Sequence, residues 1–112
     1  MSSIVITHAK RTPLGAFQGV FHNTPATDLG AALIQAIKPN HSVDDVIMGC
    51  VLTAGLGQAP ARQAALKGGL DQRTSCLTIN KVCGSGLKAI MLGHDLIQVG
   101  SSEIVIAGGM EN

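Results

Sequence analysis

Apolar residues fall into two arrangements along this chain. Short solid blocks occupy residues 3–8, 43–52, 77–82 and 103–107. Between them lie longer stretches in which apolar positions recur every three or four residues. Solid blocks of that length predict strands buried on both faces, and the three-to-four spacing predicts helices. Ala26, Leu29, Leu33, Ile34 and Ile37 give the first helix its apolar face. Thr24-Pro25 supplies a capping hydroxyl and a proline at the first helical position, Asp28 lies near the positive end, and Lys38-Pro39-Asn40 stops the helix. After the second block, residues 54–60 form a glycine-rich loop. A second helix begins at Pro60, runs to Leu66 and ends at Gly68-Gly69. The order is strand, helix, strand, helix, strand, helix, strand, which predicts an α/β fold: four mainly parallel strands with helices on both faces.

The third block leads into Cys83-Gly84-Ser85-Gly86, read as a tight turn, and then into a helix that ends at Gly100. Leu87, Ile90, Met91, Leu92, Leu96, Ile97 and Val99 put apolar side chains on nearly every face of that helix, and its only ionised side chains are Lys88 and Asp95. A helix apolar all round is expected to be buried, innermost in its fold. The unpaired N–H groups and positive end of a helix favour an anion, and a thiolate is one. Glycines on either side of Ser85 allow close approach of a ligand. Cys83 is therefore the candidate nucleophile. Cys50 and Cys76 fall inside strand blocks and read as structural.

Composition narrows the function classes. With 112 residues, 46% hydrophobic and 13% charged, the chain suits one modest domain, and so few charges suggest that part of its surface is covered by something else. A net charge of +1 without a basic run argues against nucleic acid. No apolar run is long enough to span a membrane, and nothing resembles a signal peptide. Three cysteines without metal-site spacing suit a reducing, cytoplasmic setting better than a disulfide framework. The final strand is followed at once by Gly108-Gly109-Met110-Glu111-Asn112, which reads as a cut in a longer fold.

Gly84-Ser85-Gly86-Leu87-Lys88-Ala89 also fits the dinucleotide fingerprint G-x-G-x-x-A, and Glu111 could act as the acid on a ribose. The position of the motif in the third strand–helix unit, and the cysteine in its turn, count against that alternative. His8, His22, His41 and His94 show no ligand spacing and read as packing or surface residues. His94, eleven residues or about three turns past the thiol, should lie along the helix away from Cys83. Gln58, Arg62 and Gln63 read as loop braces.

Asn80-Lys81-Val82-Cys83-Gly84-Ser85-Gly86-Leu87-Lys88-Ala89 resembles the active-site block of the thiolases, the acetyl-CoA acetyltransferase family. Arg11-Thr12-Pro13-Leu14-Gly15 resembles that family's opening motif. Val46-Ile47-Met48-Gly49 and Ala54-Gly55-Leu56-Gly57-Gln58-Ala59-Pro60-Ala61-Arg62-Gln63 resemble its second strand and following helix, with Ala59 where the family often has Asn. Residues 104–111 resemble its Ala-Gly-Gly-Met-Glu strand end. The resemblance spans residues 1–112, as the first part of a layered thiolase N-terminal domain that lacks the CoA-binding loop region and the C-terminal domain.

By that resemblance Cys83 is the nucleophile. It takes an acyl group from a CoA thioester, and an acetyl-CoA enolate then attacks the acyl-enzyme to form a 3-oxoacyl-CoA, as in fatty acid metabolism; the reverse is thiolysis. The Cys83 N–H would help to stabilise the oxyanion. Coenzyme A thioesters are then substrates; no cofactor and no metal are expected. The family's Gly-His-Pro and Cys-x-Gly motifs, which supply the activating histidine and the proton-moving second cysteine, do not occur in these 112 residues. The isolated chain is therefore expected to be inactive in turnover, with a non-catalytic thiolase fragment as the alternative. The resemblance also implies a homo-oligomer, dimer or tetramer, through the third strand around residues 76–80.

Overall fold

The computed structural model describes residues 3–112, and its elements alternate as the sequence pattern predicts. They are α1 (Ala26–Ile37), β1 (Asp45–Gly49), α2 (Pro60–Lys67), β2 (Ser75–Ile79), α3 (Ser85–Gln98) and β3 (Val105–Gly109). The three strands form one parallel sheet in the order β2-β1-β3. The first crossover runs from the central strand to one edge, and the second runs from that edge to the other. The step from β1 to β2 carries α2, and the step from β2 past β1 to β3 runs the opposite way and carries α3. Right-handed crossovers in opposite directions place their helices on opposite faces. Accordingly α2 packs on β1 and β2, joined by α1, while α3 packs on β3 and β1.

Strand alternation divides the central strand between these layers. Val46 and Met48, followed by Cys50 just beyond the strand, meet Ala26 and Ile34 of α1 and Ala61, Ala64 and Ala65 of α2, with Ile106 and Met110 alongside. This is the core, and its helix side is almost all alanine, which lets two helices approach closely. Gly49 faces α3. A Cβ there would lie 2.6 Å from the Ser85 Cβ, so the start of α3 rests directly on the backbone of β1. Asp44 ties the strands together at their entry. Its main chain exchanges hydrogen bonds with Ile104 and Ser75, and its carboxylate accepts the N–H groups of Glu103 and Ile104 at 2.8 and 3.0 Å.

Two expectations are corrected. Residues 3–8 form no strand; they are largely exposed and paired with neither edge of the sheet. An apolar block has strand propensity but makes a strand only beside a partner, and the described residues place none next to it. The sheet therefore has three strands, not four. Likewise, α3 is not buried all round. Ala89 and Gly93 pack on the sheet, whereas Leu87 is 66% exposed and Ile90, Met91 and Val99 are exposed too. One sheet covers one side of a helix, and among the described residues no second layer lies over the other side. At α1 the cap also differs in detail. Pro25 is the N-cap residue, no side chain caps the end, and Asp28 in the first turn pairs with Lys67 at 2.6 Å. Among the described residues no helix is long and apolar enough to cross a membrane.

Candidate active site

All three parallel strands point their carboxyl ends the same way, and in open α/β sheets that end is where ligands bind. Strand β2 stops at Ile79, three residues earlier than the apolar block suggests, and residues 80–84 make the turn into α3. Cys83 stands in that turn, exposed, one residue ahead of the N-cap Gly84. The helix begins at Ser85, so Ser85 and Gly86 belong to its first turn and not to the loop. The Gly84 and Ser85 N–H groups bond back to the Lys81 and Val82 carbonyls at 3.0 and 3.1 Å. Those of Gly86 and Leu87 have no main-chain partner among the described residues, which leaves two donors at the positive end of α3, three and four residues after Cys83.

The turn is held under strain. Val82 has φ +49°, in the left-handed region that a β-branched residue avoids. Three hydrogen bonds enforce it. The Val82 N–H donates to Asn80 Oδ1 at 2.9 Å, the Lys81 N–H donates to Ser85 Oγ at 2.8 Å, and Ser85 Oγ donates to the Val82 carbonyl at 2.6 Å. Neither Ser85 nor the twist at Val82 was singled out by sequence reasoning. The available signal was a hydroxyl two residues past a candidate nucleophile, flanked by glycines, but glycine-serine runs are common in loops of no consequence.

Cys83, Val82, Ser85 and Gly86 line a cleft of about 740 Å³ together with Lys10, Arg11 and Glu111. Glu111 has a structural part there. Its two carboxylate oxygens accept the N–H groups of Val51 and Leu52 at 2.9 and 3.1 Å, which clamps the end of β3 to the loop after β1. That removes the ribose-binding acid of the dinucleotide alternative. The topology removes the rest, since β1 lies between β2 and β3 and the strand after the glycine turn is therefore not its neighbour. Gly86 packs against Gly109, where a Cβ added to Gly109 would lie 3.2 Å from the Gly86 Cα, so the motif's second glycine sits in the helix–strand contact.

The other two thiols are distinguished by burial. Cys50 is buried at the end of β1, and burial, followed by the nearby Glu111 charge, pushes its thiol pKa up. Cys76 is half-buried on β2 and is also pushed up by burial, with Arg62 opposing. Both read as packing groups. No histidine lines the cleft. His22 Nδ1 lies 2.8 Å from the Gly19 carbonyl, and His94 is exposed beside Asp95. The braces are as expected: Arg62 donates to the Gln72 and Thr74 carbonyls, and the Gln63 amide donates to those of Leu56 and Gln58.

Comparison with known proteins identifies this arrangement. The family model described as "Thiolase, N-terminal domain" matches residues 4–112. The chain is 51% identical to a probable acetyl-CoA acetyltransferase of Escherichia coli K12 and 53% identical to an acetyl-CoA acetyltransferase of Cupriavidus necator; each match covers all of this chain and 30% of the relative. A probable acetyl-CoA acyltransferase of Staphylococcus aureus is 52% identical over the same shares. Thus the chain spans just under a third of the length of these relatives. Among solved structures, the Acat5 thiolase from Ascaris suum, crystallised in complex with coenzyme A, superposes with a TM-score of 0.84. It is 42% identical over 88% of this chain and 27% of the other. The chain belongs to the thiolase family, as sequence corresponding to its N-terminal domain.

Proposed function

We propose that this chain carries the acyl-accepting half of a thiolase, with Cys83 as the nucleophile of an acetyl-CoA C-acetyltransferase. The observation that supports it is the placement of the thiol. Of the three cysteines only Cys83 is exposed, and it sits at the carboxyl end of the sheet, beside a helix start with two open N–H donors. The Cys83 thiolate attacks the thioester carbonyl of acetyl-CoA, a bond forms between Sγ and the carbonyl carbon, and the charge moves to the oxygen. Collapse of that intermediate breaks the bond to coenzyme A, which leaves as a thiolate and takes up a proton. N–H groups near the helix start would stabilise the oxyanion. Coenzyme A thioesters are substrates in this scheme, not resident cofactors.

Carbon–carbon bond formation needs a base to remove the α-proton of a second acetyl-CoA. The cleft offers Lys10, Arg11 and Glu111 as ionisable groups besides the thiol, and Glu111 is engaged by two backbone N–H groups. The chain alone therefore accepts an acyl group but does not turn over. A homo-oligomeric assembly and a reducing, cytoplasmic setting belong to the same proposal. Incubation with acetyl-CoA followed by mass spectrometry tests it. The expected result is one acetyl group on Cys83 and none after Cys83→Ala, with no measurable thiolysis of acetoacetyl-CoA. Acetylation at Cys50 or Cys76 instead, or retained by Cys83→Ala, overturns the assignment.

A further inference from the structure

We propose that Ser85 is a positioning residue for Cys83: its buried hydroxyl holds Val82 in the left-handed conformation that presents the thiol at the mouth of the cleft. The inference rests on the reading of Cys83 as the acyl acceptor. Ser85 is the first residue of α3, where a hydroxyl has no capping task, and it makes none of the usual cap bonds. Instead it reaches back across the turn, accepting from the Lys81 N–H and donating to the Val82 carbonyl. Those two bonds bracket Val82, whose φ of +49° is unfavourable for a β-branched side chain. Strain of this kind persists only where the surroundings over-determine it, and it clusters at functional sites.

The anchor is stiff. Ser85 is 5% exposed and pressed against the Cα of Gly49 on the central strand, so its hydroxyl has a fixed origin from which to hold the turn. The chain of constraint runs from β1 through Ser85 to Val82 and then to Cys83. Were the hydroxyl removed, Val82 would keep its N–H bond to Asn80 Oδ1 and the Ser85 N–H bond to its carbonyl but lose the other two. A return toward a negative φ, with rotation of the peptide before Cys83, would then be opposed less. The thiol would stay exposed but lose its fixed relation to the Gly86 and Leu87 N–H groups.

The test uses the full chain with Ser85→Ala, Val82→Gly and the double variant. Two rates are measured at Cys83: transfer of acetyl from acetyl-CoA, which needs the thiol and the oxyanion donors in register, and alkylation by iodoacetamide, which does not. Loss of about one net hydrogen bond predicts an acetylation rate about tenfold lower in Ser85→Ala, with the alkylation rate within about threefold of the parent. Acetylation unchanged in Ser85→Ala overturns the proposal. So does a parallel change in both rates accompanied by labelling of Cys50, which marks general loosening. Thermal melting of the four proteins gives a second reading. Glycine accepts a positive φ without strain, so the relief of strain that offsets part of the loss in Ser85→Ala is absent in the Val82→Gly background, where Ser85→Ala should lower Tm more; additive effects would overturn the coupling. If the parent chain takes up no acetyl group, the acyl-acceptor reading fails by itself, and the melting cycle alone decides whether Ser85 holds Val82.

Discussion

The residues that shape the site are small and polar, and their parts depend on neighbours the sequence does not bring together. The place of Cys83 in a strand-to-helix turn was legible because the apolar block before it and the glycines after it mark that turn. Ser85 was not, since its hydrogen bonds close on Lys81 and Val82 only once the turn has formed. Glu111 could be mistaken for a ligand-binding acid because nothing in the sequence reveals that Val51 and Leu52, some 60 positions earlier, point their N–H groups at it. The three thiols should separate by reactivity. Burial pushes the Cys50 and Cys76 thiols up and limits access to them, whereas Cys83 is exposed. Limited iodoacetamide treatment with peptide mapping should label Cys83 first, Cys76 more slowly and Cys50 last. Faster labelling at Cys50 or Cys76 would show that Cys83 is not the accessible nucleophile.

Among the elements, three helices and three strands were legible from the spacing of apolar residues, but the burial of α3 was not, because its inward face is Ala89 and Gly93 and its larger apolar residues are exposed. The remaining block, residues 3–8, was misread, since an apolar run looks the same whether or not a neighbouring strand exists to receive it. Two element ends carry predictions. Ala59, the N-cap residue of α2, has φ +49° and no side-chain cap, a conformation that costs an alanine about 1–2 kcal/mol and that asparagine tolerates better. Ala59 is exposed, so a larger side chain fits. Ala59→Asn should stabilise the chain by about 1 kcal/mol, read as a raised denaturation midpoint; an unchanged or lowered midpoint would mean that Ala59 is not strained.

At the entry to the sheet, hydrogen bonds from the Ile104 and Glu103 N–H groups hold the Asp44 carboxyl pKa below the usual aspartate value. The folded value is depressed, so the stabilisation is present above the unfolded value, about 3.9, and is lost as pH falls through the folded value. Asp71, lowered by Arg73, acts in the same direction. Stability should therefore fall below about pH 4, and Asp44→Asn should shrink that acid-side loss while lowering stability at neutral pH. Urea midpoints measured across that range for both proteins check it. An undiminished acid-side loss in Asp44→Asn would assign it to other carboxylates.

On the scale of the whole molecule, the sheet is covered unequally. Helices α1 and α2 close one face, while α3 lies over β1 and β3 and leaves β2 largely bare on its own side. Leu77 of β2 is 50% exposed on that side, and Leu87, Ile90 and Met91 are exposed on α3. Strand β2 is also a sheet edge, and an edge carries unpaired N–H and C=O groups that can pair with another chain. Exposed apolar residues beside an open edge favour association. The chain is therefore expected to self-associate, as a dimer through β2 or as larger aggregates. Two variants separate these routes. Leu77→Lys places a charge on the bare face of β2, which blunts edge pairing, and Ile90→Lys does the same on α3 without touching the edge. Light scattering across a concentration series should show the parent heavier than a monomer and Leu77→Lys shifted toward the monomer. If only Ile90→Lys shifts the distribution, association runs through the helix face. A parent chain that stays monomeric at every concentration would mean that neither the open edge nor the exposed apolar residues suffice to join two copies.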